Sequence, residues 1–253
     1  MMQFALIRRI RISLLFFFSF EGMKRVRVEG GQKDEGKKLL VQASVDVFVE
    51  AVEAAIHAIL CVRKIYPTEI FERRRLYGAP TYMSRHPELN TYISTVLLNA
   101  KPLFAENAVD RIVCAIMGTK GEPLEYYVFD IQCLGSNISG PASSARYVNN
   151  EKKYIEDREE DIIVDIETQL RGMLLRTMAL EWQRTPLPDG CKFTLLVHAR
   201  ETTRNARLLQ SDVWMLAGEH EMAQAQKPGP IIPLRSVNCA GIEFQVFVVC
   251  PNL

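Results

Sequence analysis

Apolar residues recur at three- and four-residue steps from about Leu39 onward, which is the spacing of one face of an α-helix. This stripe continues for over twenty residues and stops before Pro67, because proline cannot continue a helix interior. The positions that form it are Val45, Phe48, Val52, Ala55, Ile56, Ile59 and Val62. A helix this long and this apolar is predicted to lie at the centre of the fold, covered on more than one side.

A second helix is predicted to begin at His86, where Pro87 suits the first helical position and Glu88 places an acid in the first turn. Pro102 is expected to end or kink this helix, and the chain should have left it by Asn107. The third helix follows from a stripe formed by Ile163, Ile166, Leu170, Met173, Leu174 and Met178.

Strand-like patterns fill the spaces between the helices. They lie at residues 70–84, 111–117, 124–131, 191–198 and 243–250. The first contains a turn at Gly78 and Pro80, and residues 118–123 join the next two strands as a hairpin loop. Residues 135–161 are too polar to bury themselves and are interpreted as a surface insertion, whereas residues 202–230 are expected to be irregular.

Period-two alternation assigns side chains to faces in the last two strands. Phe193, Leu195 and Val197 share one face of the first of them. Gln245 and Phe247 share a face of the second, opposite its most apolar positions. The sum is three helices against one mostly antiparallel sheet, which is an α+β fold in a single domain.

Composition fits a globular protein: 253 residues, 48% hydrophobic and 24% charged, are enough to fill one large core. The charge is uneven, because residues 1–38 carry nine Lys or Arg and four acids, a net +5. The other 215 residues carry 22 bases and 26 acids, a net −4. An acidic body matches a phosphate backbone poorly, so no direct contact with nucleic acid is expected.

Residues 1–38 are expected to lie outside the domain that spans 39–253, as a disordered extension or a mis-assigned start, with Met23 as another start. A basic stretch before the apolar run 12–20 resembles a secretory signal, which is the alternative, but no small-residue cleavage site follows it. The run is far shorter than the roughly 20 residues that span a bilayer, so no membrane contact is expected.

The side chains that usually carry catalysis or bind metal do not cluster along the sequence. The six cysteines form no C-x-x-C pair and are interpreted as reduced residues, several of them packed in apolar runs, which favours the nucleus or cytosol. His57, His86, His198 and His220 match no metal or hydrolase motif and are interpreted as caps, partly buried rings or solvated side chains. No catalytic site, metal or cofactor is predicted.

Several blocks in a fixed order resemble the HORMA-domain family, and within it the mitotic-arrest-deficient-2-like accessory subunits of translesion DNA polymerase zeta. The blocks are Tyr66–Phe71, Met83–Ile93, Gly190–Asn205, Trp214–Ala217, Ile232–Leu234 and Gln245–Val248. The resemblance implies a non-catalytic adaptor whose C-terminal safety belt, about residues 205–250 here, wraps a proline-containing peptide of the polymerase zeta catalytic subunit. Strand addition would supply main-chain hydrogen bonds and side-chain pockets would supply selectivity.

The same resemblance assigns roles to individual residues. It places Tyr92, Trp214 and Leu216 along the peptide, although aromatic residues at such positions are otherwise most often core packing. A second partner surface, for the C-terminal domain of the scaffold translesion polymerase, is implied at Ile231, Gln245 and Phe247; the family more often has tyrosine at the last position. Arg171 corresponds to a residue of a HORMA–HORMA dimer surface, and its alternative is a solvated helix arginine.

Three other functions stay open at this point. One is a spindle-assembly-checkpoint HORMA protein that traps a checkpoint partner, and relatives also join other repair and checkpoint assemblies. The second is an enzyme with a dispersed active site, and the third is a secreted, disulfide-bonded binding module. The resemblance favours the polymerase adaptor, located in the nucleus and also in the cytoplasm.

Overall fold

The first apolar stripe forms helix α1, Lys33–Val62, in a computed structural model that describes residues 33–135, 151–200 and 229–251. The helix begins six residues before Leu39, where its apolar stripe was expected to begin. Phe48, Val52 and Ile56 are completely buried. Helices and two strands pack against α1 from several sides, which confirms the predicted central position.

Helix α2 spans Pro87–Ala105 and begins as predicted, with the His86 side chain accepting a hydrogen bond from the Leu89 backbone at 3.4 Å. Pro102 does not end the helix, contrary to one of the two predicted outcomes, because the helix continues three residues further, to Ala105. A proline this close to the C-terminus removes one helical hydrogen bond, and burial of Leu103 and Phe104 offsets that loss.

Helix α3 spans Glu151–Met178 and begins twelve residues before Ile163, the first position of its predicted stripe. Part of the presumed insertion 135–161 is therefore helical, and residues 136–150 lie outside the described part of the chain. Residues 151–161 are rich in Glu, Lys and Arg, which favour helices without any apolar periodicity. A single turn, α4, follows at Leu180–Gln183.

Two antiparallel sheets accompany the helices. The smaller is a hairpin of β1, Phe71–Leu76, and β2, Ala79–Ser84, whose turn at Tyr77 and Gly78 has positive φ at both residues. Gly78 thus lies in the turn as predicted, whereas Pro80 lies within β2. The larger consists of β3 Val109–Met117, β4 Pro123–Leu134, β5 Lys192–Ala199, β6 Ile231–Cys239 and β7 Ile242–Val249. Its strand order is β5-β3-β4-β7-β6. The predicted α+β class is confirmed.

Strand β6 was not predicted from the sequence. It carries Pro233 and several polar residues, which obscure the alternation of a strand. The structure places it at a sheet edge, with a change of register between Pro233 and Arg235. Edge strands and bulges are where a proline is tolerated, because its missing N–H is not needed there.

The main core lies between the helices and one face of the five-stranded sheet. Leu195 of β5 and Phe244, Val246 and Val248 of β7 point into it, so the predicted face assignments are confirmed. The opposite face of the sheet, here called the outer face, carries a second apolar cluster that includes Val113, Ala115, Tyr126, Val128 and Phe247. Within the described ranges no helix is long and apolar enough to cross a membrane.

Candidate functional site

Strand β5 is an edge of the larger sheet among the described residues, since its only strand partner there is β3. The Leu195 backbone N–H donates to the Tyr92 hydroxyl at 3.1 Å, which shows that this amide points away from β3. Successive backbone amides of a strand point to opposite sides, so amides two residues apart point to the same side. The amides of Phe193 and Val197 therefore point away from β3, as that of Leu195 does. This edge therefore presents a row of backbone groups that another strand could pair with.

Three aromatic rings lie beside this edge and are called the aromatic cluster: Tyr66, Tyr92 and Phe193. The ring of Phe193 meets that of Tyr92 edge-on, with centroids 5.6 Å apart, and meets that of Tyr66 edge-on at 6.1 Å. Burial, and then the neighbouring Tyr92, raise the pKa of Tyr66. Tyr92 is 39% exposed, so the cluster is open to a partner rather than sealed inside the core.

The start of helix α2 fixes the position of Tyr92. The His86 backbone N–H donates to Ser84 Oγ at 3.0 Å, and the Asn90 side chain donates to the Ser84 carbonyl at 2.9 Å. Together with the His86 cap, these bonds join the first turn of α2 to the end of β2. Tyr92 lies two residues beyond Asn90, so the bonded segment 86–90 fixes its position.

The structure locates one of the three residues predicted to line the peptide. Tyr92 lies at the β5 edge, while Trp214 and Leu216 lie outside the described residues. Sequence reasoning missed the contribution of Phe193 and Tyr66 to the same surface. The alternation in β5 assigned Phe193 correctly to the core face, but alternation does not show that a partly exposed end of that face carries an aromatic cluster.

The outer face of the β6–β7 hairpin carries Ile231, Gln245 and Phe247. Phe247 lies in register with Pro233, and Ile231 with Val249, so these side chains share one face of the two strands. Gln245 is exposed and Ile231 is 63% exposed, which is high for an isoleucine in a strand. The structure thus places the three residues on one face of the hairpin, and their role as a second partner surface stays a prediction.

Arg171 lies exposed on helix α3, but its side chain is engaged within the chain. Its Nε donates to the Tyr77 carbonyl at 2.9 Å, in the turn between β1 and β2. The guanidinium group also lies where a side chain on Gly78 would be. Arg171 therefore bridges α3 and the small sheet, and its role in a dimer stays a prediction.

The buried carboxylate of Glu125 links the start of β4 to the residue that follows β7. Glu125 of β4 accepts hydrogen bonds from Arg63 at 3.0 and 3.1 Å, from Arg184 at 2.8 and 3.1 Å and from the Tyr127 hydroxyl at 2.6 Å. Arg184 in turn donates to Cys250 Sγ at 2.8 Å. This group, called the Glu125 network, joins the end of α1, strand β4 and the residue after β7.

The remaining candidates for chemistry are His57 and the cysteines. His57 is buried, neither of its ring nitrogens has a hydrogen-bond partner among the described residues, and burial lowers its pKa to about 4. The described part of the chain contains no cluster of three or more His, Cys, Asp or Glu residues suited to a metal ion. Five of the six cysteines are buried, in agreement with their predicted packing role.

Comparison with known proteins reveals relatives of this chain. A family model described as the HORMA domain matches residues 44–206. The chain is 32% identical over 211 residues to the Danio rerio mitotic spindle assembly checkpoint protein MAD2B, covering 82% of this chain and 90% of that protein. It is 26% identical to DNA polymerase zeta subunit 2 of Drosophila melanogaster, covering 82% of this chain and 98% of the relative.

A solved structure with the same fold is that of C. elegans HTP-2 bound to HIM-3 closure motif. It superposes with a TM-score of 0.57 over 84% of this chain and 92% of that one. The sequences are only 11% identical, so the similarity concerns the fold alone.

Proposed function

Because the chain belongs to the HORMA domain family, we propose that it is a non-catalytic adaptor that clamps a proline-containing peptide of the polymerase zeta catalytic subunit. It bridges that peptide to the C-terminal domain of the scaffold translesion polymerase during DNA damage tolerance and repair. The relative named DNA polymerase zeta subunit 2 supports the choice of partner. The adaptor would act in the nucleus, and also in the cytoplasm.

The observation that carries the proposal is the edge of β5 with the aromatic cluster beside it. An extended peptide gains main-chain hydrogen bonds by adding to a sheet edge, and it gains selectivity from side-chain pockets next to that edge. Leu195 supplies an outward-pointing amide, and Tyr66, Tyr92 and Phe193 supply an aromatic surface on which a proline ring can pack. The HORMA structure of HTP-2 holds a closure motif, which supports a bound peptide as the partner.

The bridging part of the proposal rests on the distance between two surfaces within one sheet. The aromatic cluster lies at the β5 edge, whereas Ile231, Gln245 and Phe247 lie on the hairpin at the opposite edge. Three strands separate the edges, so two partners can bind without competing for the same residues. The −4 charge of the chain after residue 38 supports partners, rather than this chain, as the source of DNA contacts.

Titration of the full-length chain with such a peptide, followed by calorimetry, tests the proposal. Tyr92→Ala and Trp214→Ala should each weaken binding by about 2 kcal/mol or more, as expected of aromatic anchors. Tyr82→Ala is the matched control, since this tyrosine lies on β2, outside the proposed site, and packs against the core. No binding by a folded wild-type chain, or equal losses in all three variants, would contradict the clamp.

A second candidate is a spindle-assembly-checkpoint protein that traps a checkpoint partner. The relative MAD2B, a mitotic spindle assembly checkpoint protein by name, favours it, and the proposed peptide-binding edge would serve it equally well. Competition separates the two: the polymerase assignment predicts that a checkpoint-partner peptide displaces the polymerase peptide only at large excess. Stronger binding of the checkpoint peptide would support the second candidate.

A further inference from the structure

The hydrogen bond between Tyr92 and Leu195 occupies a backbone group that the proposed partner needs. A strand that adds to β5 must bond to its outward amides, and the Leu195 amide already has the Tyr92 hydroxyl as its acceptor at 3.1 Å. One of these two acceptors has to leave before the other can bind. The same side chain is therefore both a neighbour of the peptide and a competitor for its place.

We propose that the Tyr92 hydroxyl is a placeholder for a peptide carbonyl, which occupies the edge of β5 in the free chain and is displaced when an extended peptide adds there. This inference rests on the function proposed above and specifies how its site is regulated. The occupant is an extended segment that presents a backbone carbonyl to Leu195.

Packing and hydrogen bonding divide the two roles of Tyr92 between different atoms. The ring meets Phe193 edge-on, a contact that a phenylalanine could make equally well. The hydroxyl oxygen makes the contact with the backbone. Removing the whole side chain would thus remove an anchor, whereas removing only the oxygen would remove the competitor.

The hydrogen bond from Leu195 to Tyr92 also explains how an open strand edge can avoid pairing with unintended strands. Unpaired amides at a sheet edge invite pairing with unintended strands, and proteins protect such edges. A side-chain hydroxyl satisfies the Leu195 amide without filling the edge, and it leaves only when a competing carbonyl is held in place by further contacts. A partner that lacks side chains to pack on the aromatic cluster would gain too little to displace it.

Tyr92→Phe in the full-length chain tests the proposal in two ways. In the free protein, amide hydrogen exchange measured by NMR should become faster at Leu195 than in the wild type, because its acceptor is gone. In titrations with a proline-containing peptide of the polymerase zeta catalytic subunit, the variant should bind about two- to tenfold more tightly, the range expected for one neutral hydrogen bond. Tyr82→Phe, a change outside the site, should alter neither quantity.

The outcomes separate the proposals. Unchanged exchange at Leu195 in Tyr92→Phe would overturn the placeholder, and so would binding weakened to the level of Tyr92→Ala, which would place the hydroxyl on the peptide. If the wild-type chain and Tyr92→Phe both bind no peptide while exchange at Leu195 still increases, the proposed function fails and the hydroxyl is only a cap on the strand edge.

Discussion

Glu125 is the most deeply buried of the described carboxylates that form ion pairs. Its side chain is 3% exposed, as is that of its partner Arg63, and Arg184 adds a second guanidinium group. A buried pair of this kind contributes little compared with a well-packed apolar pair, but removing one partner leaves an uncompensated charge. In this protein two arginines would lose their common partner.

Glu125→Ala should therefore lower the free energy of unfolding by about 3–5 kcal/mol, the usual cost of breaking a buried pair. Urea unfolding at neutral pH measures the loss. Asp130→Ala is the control, because its partner Arg111 is 3.7 Å away and the two side chains are 32% and 46% exposed, so about 1 kcal/mol or less is expected. Similar losses in the two variants would show that the Glu125 network is not a stabilising junction.

The raised pKa of the buried Glu50 carboxyl makes the free energy of unfolding depend on pH. Burial raises its pKa from 4.5 to about 7, the Tyr77 hydroxyl that donates to it at 2.9 Å acts in the opposite direction, and Glu53 and Asp46 raise the pKa further. The folded pKa exceeds the unfolded one, so the folded state holds this proton more tightly. The resulting stability is fully present below about pH 4.5 and is lost as the pH rises through about 7.

Glu50→Gln keeps an acceptor for Tyr77 and removes the buried charge. Relative to the wild type, its free energy of unfolding should therefore increase between pH 5 and pH 8, by up to about 3 kcal/mol for a pKa displaced this far. Chemical denaturation at several pH values measures the trend, with the exposed Glu88→Gln as control. A difference between variant and wild type that stays constant with pH would contradict the buried, protonated carboxyl.

At the scale of elements, the β6–β7 hairpin is predicted to hold a partner without taking part in peptide binding. Ile231 and Gln245 are exposed on it, so Ile231→Asp or Gln245→Ala should leave folding intact. Either change should weaken binding of the C-terminal domain of the scaffold polymerase by about 1–2 kcal/mol or more. Pull-down and calorimetry with that domain, and separately with the peptide, measure the two contacts.

The control for the hairpin is Asn238→Ala, an exposed position close to the β6–β7 turn. It should bind both partners as the wild type does. If Ile231→Asp and Gln245→Ala instead weaken the peptide and spare the domain, the assignment of the two surfaces is wrong.

The elements that sequence alone could predict are those whose local chemistry agrees with their packing. Helix α2 combines a cap at His86, Pro87 at its first position and an apolar stripe, so its start was predicted to the residue. Strand β6 could not be predicted, because an edge position permits Pro233 and polar side chains that break the pattern. The start of α3 was missed because solvated helix shows no apolar periodicity.

The candidate site was only partly predictable for a related reason. Tyr92 was identified by resemblance, and Phe193 was assigned to its face by alternation. Whether the Leu195 amide points towards or away from β3 depends on the register between the two strands. The alternation of side chains along the sequence does not reveal that register. The aromatic cluster unites a residue of α2, one of β5 and one from the turn after α1, so only tertiary structure brings it together.

At the scale of the whole molecule, we propose different roles for the two edges of one sheet. The C-terminal hairpin pairs with β4 and leaves β5 as the opposite edge among the described strands. The Glu125 network holds the residue that follows β7, so the hairpin is anchored at its far end. The β5 edge is therefore the place where we propose that a peptide binds as an added strand.

The most direct test of that claim is a backbone-methylation scan of the peptide. Single N-methyl groups are placed at successive residues of the proline-containing segment, and each peptide is titrated against the full-length chain. In an added strand, only alternate amides bond to the sheet. Binding should therefore fall sharply at every second position and little in between. Losses without this period, or no binding by any peptide, would contradict strand addition at β5.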